Sequence, residues 1–238
     1  MSDLHLEFHA DGGASFIASL DPSEVDVLVL AGDIAQGSEL PAALGLLCRR
    51  FARATIVYVH GNHEFYQSNL PAVHQATREV ARRHSNLHWL ENRTAKIAGR
   101  RFLGATLWFR HARDALPYRR YMNDFFEIEA FESWVYEQNR RTLRWLRRSV
   151  RPGDVVVTHH LPTPRAVAPE FVDDPLNPFF VCDVEDVISS QRPALWLYGH
   201  THTSGDLRIG DTRLVCNPLG YLGSAQNGRF DERCCIEI

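Results

Sequence analysis

Five short polar blocks lie in a fixed order along the chain, and they consist of residue types that bind divalent metal ions. Four of the five directly follow an apolar run that is typical of a strand, so their side chains can meet at one rim of a sheet. None of the blocks is specific alone, but the ordered set is. The blocks are Asp3-Leu4-His5, Gly32-Asp33, Gly61-Asn62-His63-Glu64, His159-His160 and Gly199-His200-Thr201-His202.

The spacing inside the blocks indicates which side chains can share an ion. Asp3 and His5 are two residues apart, and in extended backbone such residues point to the same face. The histidines of the last block repeat this spacing. His159 and His160 are consecutive, so an extended chain directs them to opposite faces and we expect only one of them to be a ligand.

Each block also has a simpler explanation when it is taken alone. Asp33 after a glycine is typical of a turn, and Asn62 could cap a helix. Together, however, the blocks offer two carboxylates, one amide oxygen and four imidazoles. If one carboxylate bridges, two ions each receive four protein contacts. Mixed oxygen and nitrogen ligands suit Mn, Fe, Co or Zn, and a two-metal centre typically activates a bridging hydroxide for displacement at phosphorus.

The segments around the blocks predict an α/β fold. Apolar runs at residues 25–31 and 54–59 alternate with amphipathic helices, which indicates a parallel sheet whose site lies at the carboxyl ends of its strands. We predict further strands at residues 87–90, 94–97, 101–107, 154–158, 194–198, 207–209, 212–216 and 234–238. We predict helices at residues 42–53, 70–84 and 126–150, and a proline-rich loop at residues 161–174.

Composition limits the class of protein. The 238 residues fit one domain, 1–238, and a hydrophobic content of 45% supports a sizeable core. A net charge of −3 gives no sign of a nucleic-acid surface. No apolar run approaches the about 20 residues of a membrane span, and no secretory leader precedes the first block. We expect a cytoplasmic protein whose five cysteines are reduced packing residues, namely Cys48, Cys182, Cys216, Cys234 and Cys235.

The five blocks resemble the pattern of the calcineurin-like metallophosphoesterases, D-x-H, G-D, G-N-H-[ED], H and G-H-x-H. Here they read DLH, GD, GNHE, HH and GHTH between residues 3 and 202. The longer segments SDLHLEF, GNHEFY and VVVTHHLPTP further resemble small bacterial phosphohydrolases of this family. The resemblance implies a four-layer α/β/β/α sandwich and a metal-dependent phosphoric ester hydrolase with two divalent ions (Mn, Fe, Zn or Co).

The same resemblance implies a role for each polar residue. His63 resembles the general acid of the family, which protonates the leaving oxygen after attack by a metal-bound hydroxide. His159 is preferred to His160 as a ligand because it lies directly at the strand end. One metal ion is assigned to Asp3, His5, Asp33 and His202, and the other to Asp33, Asn62, His159 and His200, with Asp33 bridging.

Two departures from the family pattern stand out. Its protein phosphatases read GDxxDRG, whereas this chain reads Gly32-Asp33-Ile34-Ala35-Gln36-Gly37 and lacks the second Asp and the Arg. This argues against a Ser/Thr phosphoprotein phosphatase, and any partner of His63 must come from elsewhere. The family also has an apolar strand before D-x-H, where this chain has only Met1-Ser2. We expect a first strand that is shortened or absent, Asp3 and His5 without their usual anchor, and a natural start that lies upstream.

The substrate is expected to be a small-molecule or nucleotide phosphoester. Monoester and diester remain open; a small-molecule diester or a nucleotide is favoured over nucleic acid because no basic nucleic-acid surface is evident. The alternative is a catalytically weak or inactive binding module of the same fold, which would be expected to lose ligands. Candidate substrate contacts outside the metal set are Tyr66, Trp108, Arg110, Asn123, Asp124, His160, Arg165 and Asn217; the two arginines could hold phosphate oxygens.

Overall fold

Two β-sheets lie face to face in the computed structural model, which describes residues 1–238. The first sheet is parallel and has the order β1-β2-β3. The second has the order β4-β5-β6-β7-β9-β8; its four inner strands run parallel, and β4 and β8 are antiparallel edges. The strands are β1 (Val27–Ala31), β2 (Thr55–Val59), β3 (Leu87–Trp89), β4 (Arg93–Ile97), β5 (Arg100–Ala105), β6 (Val155–Thr158), β7 (Leu195–Tyr198), β8 (Gly205–Ile209) and β9 (Thr212–Cys216), followed by the hairpin β10 (Gly220–Tyr221) and β11 (Ala225–Gln226).

Helices cover both outer faces of the sheet pair. Alternating residues of one strand face opposite layers, as β6 illustrates. Val155 and Val157 belong to the apolar cluster between the sheets, whereas Val156 belongs to the cluster on the helical side that includes Leu146. The predicted four-layer α/β/β/α sandwich is therefore confirmed. The first sheet is covered by α1 (Ala14–Ser19), α2 (Leu40–Arg50) and α3 (Leu70–Arg83), the second by α5 (Val135–Ser149) and α7 (Glu185–Gln191); α4 (Asp124–Glu127) and α6 (Asn177–Phe180) are short.

The first three residues lie beside β1 and form no strand of their own. Ala31 donates its N–H to the carbonyl of Met1 (3.0 Å), and Asp3 donates to Gly32 (2.9 Å). On the other side, Ser2 pairs with Pro218 in a single parallel bridge beyond β9. The first block is thus hydrogen-bonded to both sheets, and the expectation that it lacks an anchor is wrong.

The predicted helix at residues 126–150 is wrong in its first part. Phe126 and Glu127 end the short helix α4, but Ile128 is extended and pairs with Ser68: Gln67 donates to the carbonyl of Glu127 (2.8 Å) and Glu129 donates to that of Ser68 (2.9 Å). Ala130 then adopts a left-handed conformation (φ 55°) and a 3₁₀ turn follows before α5 begins. The composition of residues 126–150 favours a helix, but pairing with residues 67–68, which are distant in the sequence, prevents one at this point.

The carboxyl-terminal tail also differs from expectation. Residues 234–238 form no strand, because the backbone hydrogen bonds around them close local turns, such as Cys234 N–H to the carbonyl of Asp231 (3.2 Å). All five cysteines are free, but Cys234 and Cys235 are exposed and only the other three are packing residues. None of the helices combines the length and hydropathy that crossing a lipid bilayer requires.

Glu64 joins the ends of β1 and β2 beneath the rim where the polar blocks meet. Its fully buried carboxylate accepts the backbone N–H groups of Asp33 (3.1 Å), Ile34 (2.9 Å) and Gly61 (2.7 Å), and the hydroxyl of Tyr58 (2.9 Å). A carboxylate only accepts hydrogen bonds, so it satisfies all four donors at once. This contact fixes the two loops that carry the second and third blocks.

Replacing Glu64 by Gln tests this contact. The amide would turn an N–H₂ group toward N–H donors and leave buried donors unpaired, so Glu64→Gln should lower the free energy of unfolding by about 2–4 kcal/mol. The control Tyr58→Phe removes one donor and should cost about 1 kcal/mol. Urea denaturation followed by circular dichroism measures the free energy of unfolding of both variants. Equal losses would show that the three backbone N–H contacts of Glu64 add no stability beyond that of the Tyr58 contact.

Glu91 supports the strand ends of the second sheet. Its carboxylate accepts the N–H (3.2 Å) and the hydroxyl (2.9 Å) of Thr106, just after β5. The carbonyl of Thr106 in turn accepts the N–H groups of His159 (3.3 Å) and His160 (3.2 Å). Burial raises the pKa of Glu91 to about 7, although the hydrogen bonds from Thr106 oppose this rise.

A pH-dependent loss of stability should follow from the raised pKa of Glu91. The pKa of Glu91 in the folded state lies above its ordinary value of 4.5. The stabilisation that the protonated Glu91 contributes to the fold is therefore fully present below pH 4.5 and is lost as pH rises through about 7. Between pH 5 and pH 8, the free energy of unfolding of the wild type should fall by about 1–3 kcal/mol relative to Glu91→Gln. Urea denaturation of both proteins at each pH measures this; a pH-independent difference would contradict it.

Candidate metal centre

Four strand ends bring the polar blocks to one rim. Asp33 follows β1, the block with Asn62 and His63 follows β2, His159 follows β6 and His200 follows β7. The first two strands belong to one sheet and the last two to the other, so the site lies across the seam between the sheets. The carboxyl ends of parallel strands are the usual position of a site in such a fold.

The first group of converging side chains contains Asp3, His5 and His202. The Nε2 atoms of the two imidazoles are 3.1 Å apart, and Nε2 of His202 lies 3.8 Å from Oδ1 of Asp3. Oδ2 of Asp33 lies 3.7 Å from Nε2 of His5. Asp3 and His5 are fully buried.

The second group forms around Nε2 of His159. This atom lies 3.0 Å from Oδ1 of Asn62, 3.1 Å from Nδ1 of His200 and 3.4 Å from Oδ2 of Asp33. All four residues are buried. Oδ2 of Asp33 therefore faces both groups, as a bridging carboxylate must.

The spacing of these atoms fits metal ions. Ligand atoms about 2.1 Å from one ion are about 3–3.5 Å apart, which is close to the separations in both groups. His5 and His159 have their other nitrogens engaged: Nδ1 of His159 lies 2.9 Å from the carbonyl of Ala31, and Nδ1 of His5 lies 3.2 Å from Oε1 of Glu7. Such contacts direct the Nε2 lone pairs into the cluster.

Burial sets the charge state of the imidazoles. It lowers the pKa values of His5, His200 and His202, which favours the neutral form that binds metals. Burial alone would also lower the pKa of His159, but the carboxylate of Asp33 raises it to about 10. The pKa of Asp33 falls well below its usual range because the charges of His159 and His63 outweigh burial, which raises it. Without a metal, a proton on His159 thus balances the carboxylate.

His63 lies beside the two groups with both ring nitrogens engaged. Its Nδ1 is 3.0 Å from Oε1 of Glu7, and its Nε2 is 3.1 Å from the hydroxyl of Tyr221. Its backbone N–H donates to Oδ1 of Asp33 (2.9 Å), and its ring stacks on Tyr66 at 4.2 Å. Burial lowers the pKa of His63, but the charges of Asp33 and Glu7 outweigh it and raise the pKa above its usual value.

Asp124 orients the amide of Asn62. Its Oδ1 accepts the amide N–H of Asn62 (2.8 Å) and the hydroxyl of Tyr66 (2.8 Å). Because the amide nitrogen is bound in this way, the amide oxygen points at His159. Asn62 does not cap the following 3₁₀ turn with its side chain. Asp124 itself is fully buried.

The backbone at four of these residues is left-handed, not extended. The φ angles are 52° at Asp3, 45° at His5, 54° at Asp33 and 70° at His200. The prediction that Asp3 and His5 point to one face of an extended strand is therefore wrong, although their side chains still converge. Left-handed backbone at a non-glycine residue is strained and persists only where surrounding contacts hold it. Such residues are concentrated at functional sites.

Two glycines leave room for this close packing. A Cβ on Gly61 would lie 2.1 Å from Oδ1 of Asp33, and a Cβ on Gly32 would lie 2.4 Å from Nδ1 of His159. Gly32 also has φ 87°, which a residue with a side chain adopts only with strain. Gly32 and Gly61 are therefore required by their close contact with His159 and Asp33.

The remaining candidates from the sequence have other contacts. Arg110 and Arg165 are exposed and donate to the carbonyls of Asp183 (2.7 Å) and Arg208 (3.2 Å), neither of which belongs to the cluster. Asn123 is exposed at the start of α4, and Asn217 is hydrogen-bonded to the backbone of Asp231. Trp108 and His160 are buried with their rings 5.1 Å apart, and Nδ1 of His160 faces the carbonyl of Thr106.

Two residues at the site were missed by sequence reasoning. Glu7 continues the two-residue spacing of Asp3 and His5, and that signal could have identified it. Tyr221 follows a positive-φ glycine in the β10–β11 hairpin and has no motif around it.

Comparison with known proteins agrees with the fold. A protein of Acanthamoeba polyphaga mimivirus, described as uncharacterised protein L509, is 25% identical over 272 residues, which cover 100% of this chain and 95% of that protein. The crystal structure of the phosphopantetheinyl hydrolase PptH from Mycobacterium tuberculosis has a TM-score of 0.70 at 20% identity, covering 93% of this chain and 88% of that one. The crystal structure of TT1561 from Thermus thermophilus has a TM-score of 0.56 at 15% identity, covering 92% and 87%.

The family model for calcineurin-like phosphoesterases matches residues 1–204, a range that includes all five blocks. The chain therefore belongs to the calcineurin-like phosphoesterase family.

Proposed function

We propose that this protein is a two-metal phosphoester hydrolase. The observation that carries the proposal is the convergence of two donor groups on one shared oxygen of Asp33. The facing nitrogens of His5 and His202, and of His159 and His200, are 3.1 Å apart, a separation at which each pair could share one metal ion in place of a proton. Asp3, His5, Asp33 and His202 would hold one divalent ion, and Asp33, Asn62, His159 and His200 the other.

The two ions would supply Lewis acidity toward phosphoryl oxygens and lower the pKa of water. The protein residues hold the ligands and manage one proton. His63 lies next to the cluster with Nε2 directed away from Glu7 and toward the hydroxyl of Tyr221, so this nitrogen would serve a leaving oxygen that displaces Tyr221. The charges of Asp33 and Glu7 raise its pKa, which favours the protonated ring that a general acid requires.

The charge at the site favours a phosphodiester. No arginine or lysine forms an ion pair with Asp3, Glu7, Asp33 or Asp124, so imidazoles supply the positive charge among the residues of the cluster. A diester carries one negative charge fewer than a monoester dianion and needs less compensation. The rings of Phe8 and Tyr221 lie against His5, and Phe8 is 53% exposed, so an apolar ester group can rest there.

Activity should depend on added metal and on diester chemistry. After metal removal with a chelator, the protein should hydrolyse neither bis(p-nitrophenyl) phosphate nor p-nitrophenyl phosphate. Adding Mn²⁺ should restore activity, with the larger kcat/KM for the diester. Metal analysis should find two ions per chain. Two bound ions with no hydrolysis of either ester would support the binding-module alternative.

Two variants separate metal binding from acid catalysis. Asp33→Ala should lose both activity and metal, because it removes the shared ligand. His63→Ala should retain metal and fold but lose about 10²–10⁴-fold in kcat on diphenyl phosphate, whose leaving oxygen needs a proton, because only proton transfer is removed. Metal analysis, circular dichroism and steady-state kinetics make the comparison. Full activity on diphenyl phosphate without His63 would reject its role as the acid.

A further inference from the structure

The carboxylate of Glu7 contacts two of the histidines at the site. Glu7 lies in the 3₁₀ turn Leu6–Phe8, which begins immediately after the left-handed His5 and turns the chain back on itself. Its Oε1 lies 3.2 Å from Nδ1 of His5 and 3.0 Å from Nδ1 of His63. The side chain is only 3% exposed, so water does not compete with these contacts.

The direction of these hydrogen bonds follows from the chemistry of the acceptor. A carboxylate has no proton to donate, so each imidazole must donate from Nδ1. In each neutral ring Nε2 is then the atom with the free lone pair. For His5 that atom faces His202 and Asp33, and for His63 it faces Tyr221.

We infer that Glu7 is the positioning residue that fixes the tautomer and ring orientation of His63, and that it does the same for His5. It thus stands in for the second Asp of the GDxxDRG pattern, which this chain lacks. The inference rests on the proposed function, because orienting His63 matters for catalysis only if His63 transfers a proton. Glu7 itself does not touch the reacting atoms.

The proton step assigns one nitrogen to each task. As the oxygen of water bonds to phosphorus, the phosphorus–oxygen bond to the leaving group breaks and its electron pair stays on the departing oxygen. That oxygen takes the proton from Nε2 of protonated His63, and the ring is left neutral with Nδ1–H still donated to Glu7. The proton that the attacking water loses passes to solvent, from which His63 is protonated again. Tyr221 must yield its contact with Nε2 when substrate arrives.

Nuclear magnetic resonance tests the tautomer directly on the full-length protein, both metal-stripped and Zn²⁺-loaded. Long-range ¹H–¹⁵N spectra of histidine-labelled protein distinguish Nδ1–H from Nε2–H rings, and His63→Ala assigns the signal. At a pH high enough to leave the ring neutral, wild-type His63 should be Nδ1–H, which is opposite to the usual preference of free histidine. Glu7→Gln should shift it toward Nε2–H, because the amide N–H₂ can donate to Nδ1. An Nε2–H ring in the wild type would overturn the inference, even if the variant failed to fold.

Tyr221→Phe is the matched control for this measurement. It removes the partner of Nε2 and leaves Glu7 beside Nδ1, so the Nδ1–H tautomer should persist. If Tyr221→Phe shifted the tautomer as strongly as Glu7→Gln, Glu7 would not be the residue that sets it.

Kinetics with two leaving groups separate the role at His63 from the role at His5. At saturating Mn²⁺, Glu7→Gln should lose about 10- to 100-fold in kcat on diphenyl phosphate, which needs a proton on its leaving oxygen, with little change in KM. The loss on bis(p-nitrophenyl) phosphate should be much smaller. If Glu7→Gln instead lost activity equally on both esters, and only below saturating Mn²⁺, Glu7 would act through His5 alone. That result would contradict its action on His63. A wild type inactive with Mn²⁺ would reject the proposed function instead, while the tautomer result would stand.

Discussion

The carboxylate of Asp33 is the group on which the whole rim depends. One oxygen accepts the N–H of His63, and the other faces imidazole nitrogens of both donor groups, His5 at 3.7 Å and His159 at 3.4 Å. Around it, two pairs of imidazole nitrogens lie 3.1 Å apart, close enough to share a proton or, as proposed, a metal ion. The carboxylate would be the shared counter-charge of such cations. The fold thus holds one acidic group within reach of both clusters of donors.

Holding them has a cost that the rest of the fold must offset. Left-handed backbone at non-glycine residues costs roughly 1–2 kcal/mol each, and Asp3, His5, Asp33 and His200 all adopt it. Glu64 stabilises one of these positions by accepting the N–H of Asp33 together with those of Ile34 and Gly61. The others are held by hydrogen bonds, since Asp3 and His5 donate their N–H groups to the carbonyls of Gly32 and Asp33, and His200 donates its N–H to the carboxylate of Asp3. If these contacts loosened, the backbone could relax and the candidate ligands would separate.

Much of this arrangement could be predicted from the sequence. Strand ends and their order are local properties, so the rim and the candidate ligand set followed from apolar runs that end in polar blocks. The break at residues 128–134 could not be predicted, because it depends on pairing with residues 67–68, far away in the chain. The left-handed φ angles of Asp3 and His5 were hidden for the same reason: tertiary hydrogen bonds to Gly32 and Asp33 impose them. Tyr221 reaches His63 only through the hairpin after β9, a contact across 158 positions with no local pattern.

Glu7 connects the two proposed functions of the site, metal binding by His5 and proton transfer by His63. A carboxylate in the second block would support His63 alone, whereas Glu7 lies two residues after His5 and shares one oxygen between both rings. Any movement of the DLH turn therefore displaces the proposed ligand His5 and the partner of His63 together. This coupling gives a physical reason for the backbone contacts of residues 1–5 to both sheets. In the proposed mechanism that segment must be rigid, because it would position a metal ligand directly and, through Glu7, the acid across the cluster.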